Sequence, residues 1–375
     1  MTFLTVMQFI VNIIVVGFLL TVIVIGLIWL IKDKRQSQHS VLRNYPLLAR
    51  IRYISEKIGP ELRQYLFSGD NEGKPFSRND YKNIVLAGKY NSRMTSFGTT
   101  RDYQDGFYIQ NTMFPIQRNE ISVDNTTLIS TFIYKIANER LFSREEYRAP
   151  TKIDPYYLSD EHAIKLGENL AHPFILKRIV GQSGMSYGAL GKNAITALSK
   201  GLAKAGTWMN TGEGGTGATF QELQDGVGLP LFTALPIVSG MLEKYGIRDK
   251  VKLAASGKLV TPDKIAIALG LGADFVNIAR GMMISVGCIM SQQCHMNTCP
   301  VGVATTDAKK EKALIVGEKQ YRVTNYVTSL HEGLFNIAAA VGVSSPTEIT
   351  ADHIIYRKVD GQLQTIHDYK LKLIS

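Results

Sequence analysis

The first feature along the chain is a long, uninterrupted apolar stretch. No charged residue occurs from Met1 to Ile31, and the part from Phe9 onward is almost wholly aliphatic. A helix of about 20 apolar residues can cross the hydrocarbon core of a bilayer, so this pattern predicts a membrane-spanning anchor. A cleaved signal peptide would have a basic start, a shorter apolar region and a small-residue cleavage site. A buried core helix is the other alternative, although one that is apolar on every face is unusual.

A basic segment follows the apolar stretch. Its lysines and arginines outnumber its acidic residues and supply a net +5, half of the formal +10 of the chain. Basic residues that flank a span stay on the cytoplasmic side. We therefore expect a single-pass protein of the cell membrane whose C-terminal part is cytoplasmic. The excess charge favours anionic lipid headgroups as its partner. No nucleic acid is expected, since no aromatic-interleaved basic face accompanies it.

Beyond residue 174, short apolar runs alternate with stretches of helical periodicity. The predicted strands are 175–180, 208–210, 251–255 and 275–279, and the predicted helices are 190–205, 262–271 and 323–341. Strand alternating with helix implies parallel pairing, and hence an α/β sheet or barrel. The apolar stripe of the last helix is interpreted as packing, with no chemistry attached.

All three cysteines lie within one twelve-residue run, at Cys288, Cys294 and Cys299. Three thiols so close together cannot all pair in disulfides, so the spacing favours a shared metal ligand. Zinc needs a fourth ligand, and His295 is awkwardly placed because it adjoins Cys294. An iron–sulfur cluster held by three thiolates, of the 3Fe-4S type, fits better. Three buried free cysteines are the remaining alternative.

The cysteine run carries a family resemblance. The sequence CHMNTCPVGVAT, residues 294–305, resembles the cluster-binding loop of the glutamate synthase large subunit family, at the end of its FMN-binding barrel. The resemblance implies that Cys288, Cys294 and Cys299 are the three ligands of a 3Fe-4S cluster. Segments between residues 41 and 78 resemble the leading domain of short, membrane-anchored members of the same family.

The resemblance also implies an FMN site. The residues it assigns to FMN are Met185, Ser186, Tyr187, Gly188, Gly215, Thr216, Gly217, Ser256, Gly257, Lys258, Ala279 and Arg280. In a (β/α)8 barrel the loops after strands 7 and 8 commonly hold a ligand phosphate, which makes Ser256–Lys258 and Ala279–Arg280 the phosphate candidates. Glu213 matches a family carboxylate near the substrate and is the candidate catalytic residue. Its alternative reading is a solvated turn residue.

The middle of the barrel is missing from the sequence. Residues 210–218, NTGEGGTGA, combine two family motifs that normally follow different strands, and here they share Gly214 and Gly215. Only four βα units can be counted, whereas a complete barrel takes roughly 250 residues. We therefore predict an α/β fold: an incomplete (β/α)8, TIM-type FMN barrel that lacks its middle strands, preceded by a transmembrane helix and a leading mixed domain. The predicted segments are an anchor at 1–31, a basic juxtamembrane segment at 32–66, the mixed domain at 67–170, the truncated FMN and iron–sulfur barrel at 171–305 and a helical extension at 306–375.

The resemblance implies an oxidoreductase acting on CH–NH2 donors. In the family, FMN and the cluster support the reductive amination of 2-oxoglutarate by ammonia to L-glutamate. No cysteine precedes Cys288 to hydrolyse glutamine, and no dinucleotide-binding glycine motif follows a strand, so ammonia and electrons would come from elsewhere, the latter from an unidentified donor. The missing strands predict an inactive or impaired enzyme. The alternative is a membrane-tethered redox or interaction protein, or a non-catalytic deletion product.

Overall fold

The computed structural model describes residues 3–36, 40–92, 103–140, 143–212 and 226–374. The chain forms two compact units, residues 1–74 and residues 75–375.

The first unit is helical. It comprises α1 (Phe3–Arg35), α2 (Ser40–Asn44) and α3 (Leu48–Leu62), followed by a π-helical turn at Arg63–Phe67. The stretch Met7–Arg35 of α1 has a peak mean hydropathy of 3.0, and none of its most apolar window is buried. This exposure does not fit a core helix. Length and composition suit a membrane span, and they also suit a signal sequence.

The second unit contains both helices and strands. Its helices are α4 (Arg78–Val85), α5 (Lys192–Ala205), α6 (Leu231–Lys244), α7 (Pro262–Gly270), α8 (Arg280–Ser285), α9 (Ala308–Glu311), α10 (Val316–Val341) and α11 (Ile366–Ile374). Its strands are β1 (Gly106–Ile109), β2 (Val123–Asp124), β3 (Ile129–Arg140), β4 (Ser143–Ile153), β5 (Tyr157–Leu158), β6 (Ile164–Leu166), β7 (Phe174–Leu176), β8 (Val180–Gln182), β9 (Ala254–Ala255), β10 (Phe275–Ile278), β11 (Ile354–Arg357) and β12 (Leu363–Thr365).

A parallel sheet forms the centre of this unit. Its strand order is β8-β10-β9, and Met209 adds an isolated parallel bridge to Gln182 on the free side of β8. The order across the sheet is therefore Met209, β8, β10, β9. The first parallel strand along the chain, β8, thus pairs with the last, β10. In a barrel, the pairing of the first and last strands closes the sheet. The sheets of the described residues do not themselves close.

The other strands pair antiparallel. The sheet β1-β11-β12 joins the early part of the unit to its C-terminus, and β3 with β4, β2 with β5 and β6 with β7 form separate two-stranded pairs.

The predicted strand 175–180 is wrong in its extent. Its first part pairs antiparallel with β6 as β7, and the parallel strand begins only at Val180. Tertiary contacts accompany the break. The backbone N–H groups of Ile179 and Val180 donate to the buried His331, and the Lys177 side chain pairs with Asp124 and Asp160. The strands predicted at 208–210 and 251–255 also shrink, to a single bridge at Met209 and to β9.

The predicted helices are confirmed. Helix α5 ends at Gly206, which adopts φ +68°, and α10 ends at Gly342 with φ +94°, a conformation that suits glycine at a helix C-terminus. Helix α10 begins earlier than predicted, at Val316. Its apolar stripe is packing, since Val323, Val327, Leu330, Leu334 and Val341 are buried and Ile337 is partly buried against the core.

His331 links α10 to the parallel sheet. The residue is fully buried, and its Nε2 accepts hydrogen bonds from the N–H groups of Ile179 at 3.2 Å and Val180 at 3.3 Å. A nitrogen that accepts two hydrogen bonds carries no proton. Burial, and then the charge of Arg178, hold the pKa of His331 well below its usual range.

We expect the free energy of unfolding to fall as the pH drops below about 6.5, where the unfolded histidine takes up a proton that the folded one excludes. The limiting slope for one such group is about 1.4 kcal/mol per pH unit. His331→Gln keeps an acceptor but cannot titrate, so it should flatten this part of the profile. Urea unfolding of the detergent-solubilised chain at several pH values measures the slope. His172→Gln, at an exposed histidine, is the control and should leave the pH dependence of the unfolding free energy unchanged. If His331→Gln leaves that slope undiminished as well, the role of His331 is contradicted.

Candidate flavin site

Four loops meet at one edge of the parallel sheet. Residues 184–188 follow β8, 210–212 follow Met209, 256–258 follow β9, and 279–281 follow β10. Because the strands are parallel, their carboxyl ends lie at the same edge, which is where ligands bind in α/β folds. The structure therefore brings together the predicted FMN residues that it describes: Met185, Ser186, Tyr187, Gly188, Ser256, Gly257, Lys258, Ala279 and Arg280.

One face of the sheet is partly open. On β10, Val276 and Ile278 are buried, whereas Phe275 and Asn277 on the other face are half-exposed. Trp208 covers this second face: its Nε1 donates to Asn277 Oδ1 at 2.8 Å, and its ring meets Phe275 edge-on at 5.4 Å.

Gly181 is required beneath this tryptophan. A Cβ at Gly181 would lie 2.0 Å from the Trp208 ring. Sequence reasoning missed the set formed by Gly181, Trp208 and Asn277. The available signal was a single polar residue, Asn277, inside the apolar run of a predicted strand.

The two phosphate-candidate loops contain backbone N–H groups without a partner among the described residues. No acceptor is found among the described residues for the N–H groups of Gly257, Lys258, Arg280 and Gly281. Lys258 and Arg280 are exposed cations, and the Arg280 guanidinium lies 5.5 Å from the centre of the Phe76 ring. Unpaired N–H groups beside cations are what a phosphate monoester needs. These residues therefore fit the phosphate of FMN.

The two other described loops are tied to each other. Met185, which is buried, donates its N–H to the Asn210 carbonyl at 3.2 Å, and Gly212 donates its N–H to Asn210 Oδ1 at 2.9 Å. A Cβ at Gly184 would lie 3.3 Å from Gly212 Cα, so the two backbones run close together. Tyr187 is exposed. Asn210 is thus a positioning residue that the sequence-based assignment omitted.

Four of the predicted site residues lie outside the described part of the chain: Glu213, Gly215, Thr216 and Gly217.

The three cysteines differ in environment. Cys299 is buried, Cys288 is half-buried and Cys294 is exposed. Burial, followed by the nearby Cys294 and Cys299, raises the pKa of Cys288 to about 11, and burial followed by Cys299 raises the pKa of Cys294. The thiols are therefore near enough to interact electrostatically. Among the described residues, however, no group of three or more His, Cys, Asp or Glu side chains is arranged to hold a metal ion. The predicted 3Fe-4S cluster is therefore not shown by the described residues.

The loop that carries the cysteines contains strained backbone. The backbone φ angles of Met290, Gln292 and Asn297 are positive, at +59°, +56° and +56°, in a region that residues other than glycine rarely adopt. The Thr306 N–H donates to Asn297 Oδ1 at 2.8 Å, and Thr305 Oγ1 donates to the Asn297 carbonyl at 2.8 Å. These hydrogen bonds hold the end of the loop.

The amino-acid sequence that forms this sheet and its loops matches a known protein family. A family profile described as a conserved region in glutamate synthase matches residues 117–215 and residues 213–344, more than half of the chain. The chain belongs to the glutamate synthase family. Membership implies an α/β barrel-type fold of an oxidoreductase family and suggests FMN as the cofactor.

Named relatives agree with this assignment. The glutamate synthase large subunit-like protein YerD of Bacillus subtilis is 40% identical, with 96% of this chain and 98% of the relative covered. The glutamate synthase [NADPH] large chain of Azospirillum brasilense is 33% identical over 56% of this chain and 14% of its own length. Among solved structures, a flavocytochrome b2 mutant is similar with 18% identity and a TM-score of 0.23, covering 35% of this chain and 26% of that chain, a likeness too weak to carry an argument.

The alignments also locate an interruption. The two profile matches meet at residues 213–215. The alignment with YerD extends over 517 positions, although only 96% of the 375 residues enter it, so roughly 150 positions of the relative have no counterpart in this family member.

Proposed function

We propose that the chain is a glutamate synthase-like flavoprotein that lacks the middle strands of its barrel and has lost, or nearly lost, reductive amination of 2-oxoglutarate. The observation that carries this proposal is the strand order Met209, β8, β10, β9. Its first and last strands pair as they would across a barrel seam, while the chain between Met209 and Ala254 is too short for four further βα units of about 30 residues each.

The comparisons support the same reading. Two profile matches that meet at residues 213–215, and a relative with roughly 150 unmatched positions, are what a deletion between two similar glycine-rich motifs would leave. The shared Gly214 and Gly215 mark the junction.

The surviving loops favour partial cofactor binding. The N–H groups of Gly257, Lys258, Arg280 and Gly281 would hold the phosphate, and the cations Lys258 and Arg280 would balance its charge. The loop at Met185–Gly188 would lie against the ring system. Bound FMN would supply hydride transfer to an imine formed from 2-oxoglutarate and ammonia. Among the described residues, no strand lies between Met209 and β9 along the chain to contact the ring and the substrate.

We also propose that Cys288, Cys294 and Cys299 are the ligands of a 3Fe-4S cluster. Its support is the cysteine spacing and the mutual electrostatic influence of the thiols. The described residues do not by themselves show a metal site, and no role in the reaction is assigned to the cluster.

A second candidate function is a membrane-tethered redox or interaction protein without turnover. The half-exposed face around Trp208 and Phe275 favours it, because a complete barrel would cover this face. Flavin content and turnover of the purified chain separate the candidates. Flavin below one per chain with little or no glutamate formation supports the first candidate. Stoichiometric flavin that cycles between oxidation states without glutamate formation supports the second, and a chain with no flavin at all is a non-catalytic product.

We also propose that α1 anchors the chain in the cell membrane with the remainder in the cytoplasm. Its support is the exposed, uncharged stretch to Ile31 and the basic residues that follow.

The chain should therefore sediment with membranes and stay there through a wash in 1 M salt, which reduces the Debye length to about 3 Å. A C-terminal epitope should resist external protease in intact cells and be cut in inverted vesicles. Release by salt alone would show attachment by charge only, and cleavage in intact cells would reverse the orientation.

A further inference from the structure

Helix α3 presents an uncovered apolar face. Leu48, Ile51, Ile54, Ile58 and Leu62 are each at least 42% exposed. At 3.6 residues per turn these five positions share one face roughly 120° wide. The exposed apolar surface continues beyond the helix into Tyr65, Leu66 and Phe67.

Basic residues border this face on both sides. By helical position Arg52 lies along one border, and Arg50 and Lys57 lie along the other together with the acidic Glu61. The side opposite the apolar face carries Ala49, which is buried, and Glu56, which pairs with Arg52 at 2.7 Å. An apolar stripe between basic borders is the pattern of helices that lie in the plane of a membrane surface.

A partly buried ion pair fixes the start of α3 to the end of α1. Asp33 is 2% exposed and accepts from Arg50 through Nε at 3.0 Å and Nη2 at 2.5 Å, and from the Leu47 N–H at 3.2 Å. The Arg50 guanidinium also lies 4.7 Å from the centre of the Trp29 ring. Asp33 follows directly on the uncharged stretch that ends at Ile31. The contact therefore sets the start of α3 at the depth where the apolar part of α1 stops.

We propose that α3 is a second membrane contact, an in-plane helix whose apolar face inserts among lipid acyl chains while its basic borders meet anionic headgroups. The lipid surface is favoured as the occupant for two reasons. The helix follows closely on a helix long enough to span a bilayer, and the segment that contains it, residues 32–66, carries a net +5 that is complementary to anionic lipid. The inference rests on the proposed anchoring by α1.

The test uses the full chain reconstituted into vesicles. A polarity-sensitive fluorophore is introduced as a non-natural amino acid at position 54, on the apolar face, or at position 56, on the opposite face, as the matched control. Vesicles contain either phosphatidylcholine alone or phosphatidylcholine with phosphatidylserine, and dilute detergent micelles serve as the reference. Co-flotation of the chain with vesicles in high salt tests the anchor separately.

Insertion predicts that the label at position 54 shifts to shorter wavelength and loses quenching by aqueous iodide in vesicles, whereas the label at position 56 does neither. Both changes at position 54 should be larger in vesicles that contain phosphatidylserine. Replacing Arg52 and Lys57 together by glutamine should abolish that difference. A chain that floats with vesicles while position 54 stays as accessible to iodide as position 56 overturns the inference and leaves the anchor intact. Shielding at position 54 that grows with protein concentration in detergent would instead identify a second copy as the occupant and also overturn it.

Discussion

Cys294→Ala is expected to abolish iron binding by the anaerobically purified chain. If the three cysteines are the cluster ligands, the unaltered protein should be brown, contain about three irons per chain and give the paramagnetic resonance of an oxidised 3Fe-4S cluster. The chain has only these three cysteines, so no other thiol can replace the one removed. The expected change is therefore a loss of essentially all iron and of the resonance signal, measured by metal analysis and spectroscopy on the same sample.

His295→Ala is the matched control for this prediction. The residue adjoins Cys294 and is exposed, so a three-cysteine cluster should keep its iron without it, whereas a zinc site that uses His295 as the fourth ligand should lose its metal. Zinc without iron in the unaltered protein, or no metal at all after anaerobic reconstitution, would contradict the cluster.

The sequence predicted the helices and the class of the fold well, because both depend on local patterns. Helix α5 ends where Gly206 permits a left-handed conformation, and the apolar stripe of α10 is buried as its periodicity indicates. Strand limits were less accurate. The run 175–180 looks continuous in composition, but contacts from His331, far along the chain, divide it between two sheets.

The candidate site was predictable only in part. Glycine-rich motifs identified the loops at Ser256–Lys258 and Ala279–Arg280, and the parallel pairing of β9 and β10 places those loops side by side. The role of Asn210 was not predictable, because it depends on two loops that meet only when Met209 pairs with β8. Likewise, the cysteine spacing predicts a shared ligand but does not determine how a strained loop places its thiols.

The largest expected effects are weak binding of FMN and a loss of glutamate formation. A flavin in a barrel is held by loops from several strands, and the described residues contain the loops at Gly257 and Arg280 but no strand between Met209 and β9 along the chain. A loss of about 3 kcal/mol of ring and substrate contacts alone lowers affinity roughly 100-fold, since each 1.4 kcal/mol is a factor of ten. Positioning suffers in addition, because a displacement of about 1 Å can lower the rate on the order of a hundredfold.

The matched control is a chimera that carries the unmatched segment of YerD inserted at residues 213–215. If the deletion is the cause, the chimera should regain FMN close to one per chain, while the surrounding loops and the cysteine run are unchanged between the two proteins. A chimera that folds but stays free of flavin would place the defect in the surviving loops instead.

The most direct measurement is therefore the flavin absorbance of the purified, unmodified chain, taken together with its oxidation of a reduced electron carrier that depends on 2-oxoglutarate and ammonia. We predict FMN well below one per chain and no glutamate formation. FMN at one per chain with measurable glutamate formation would contradict the central claim, and would mean that the incomplete barrel is completed by other means, such as a second copy of the chain.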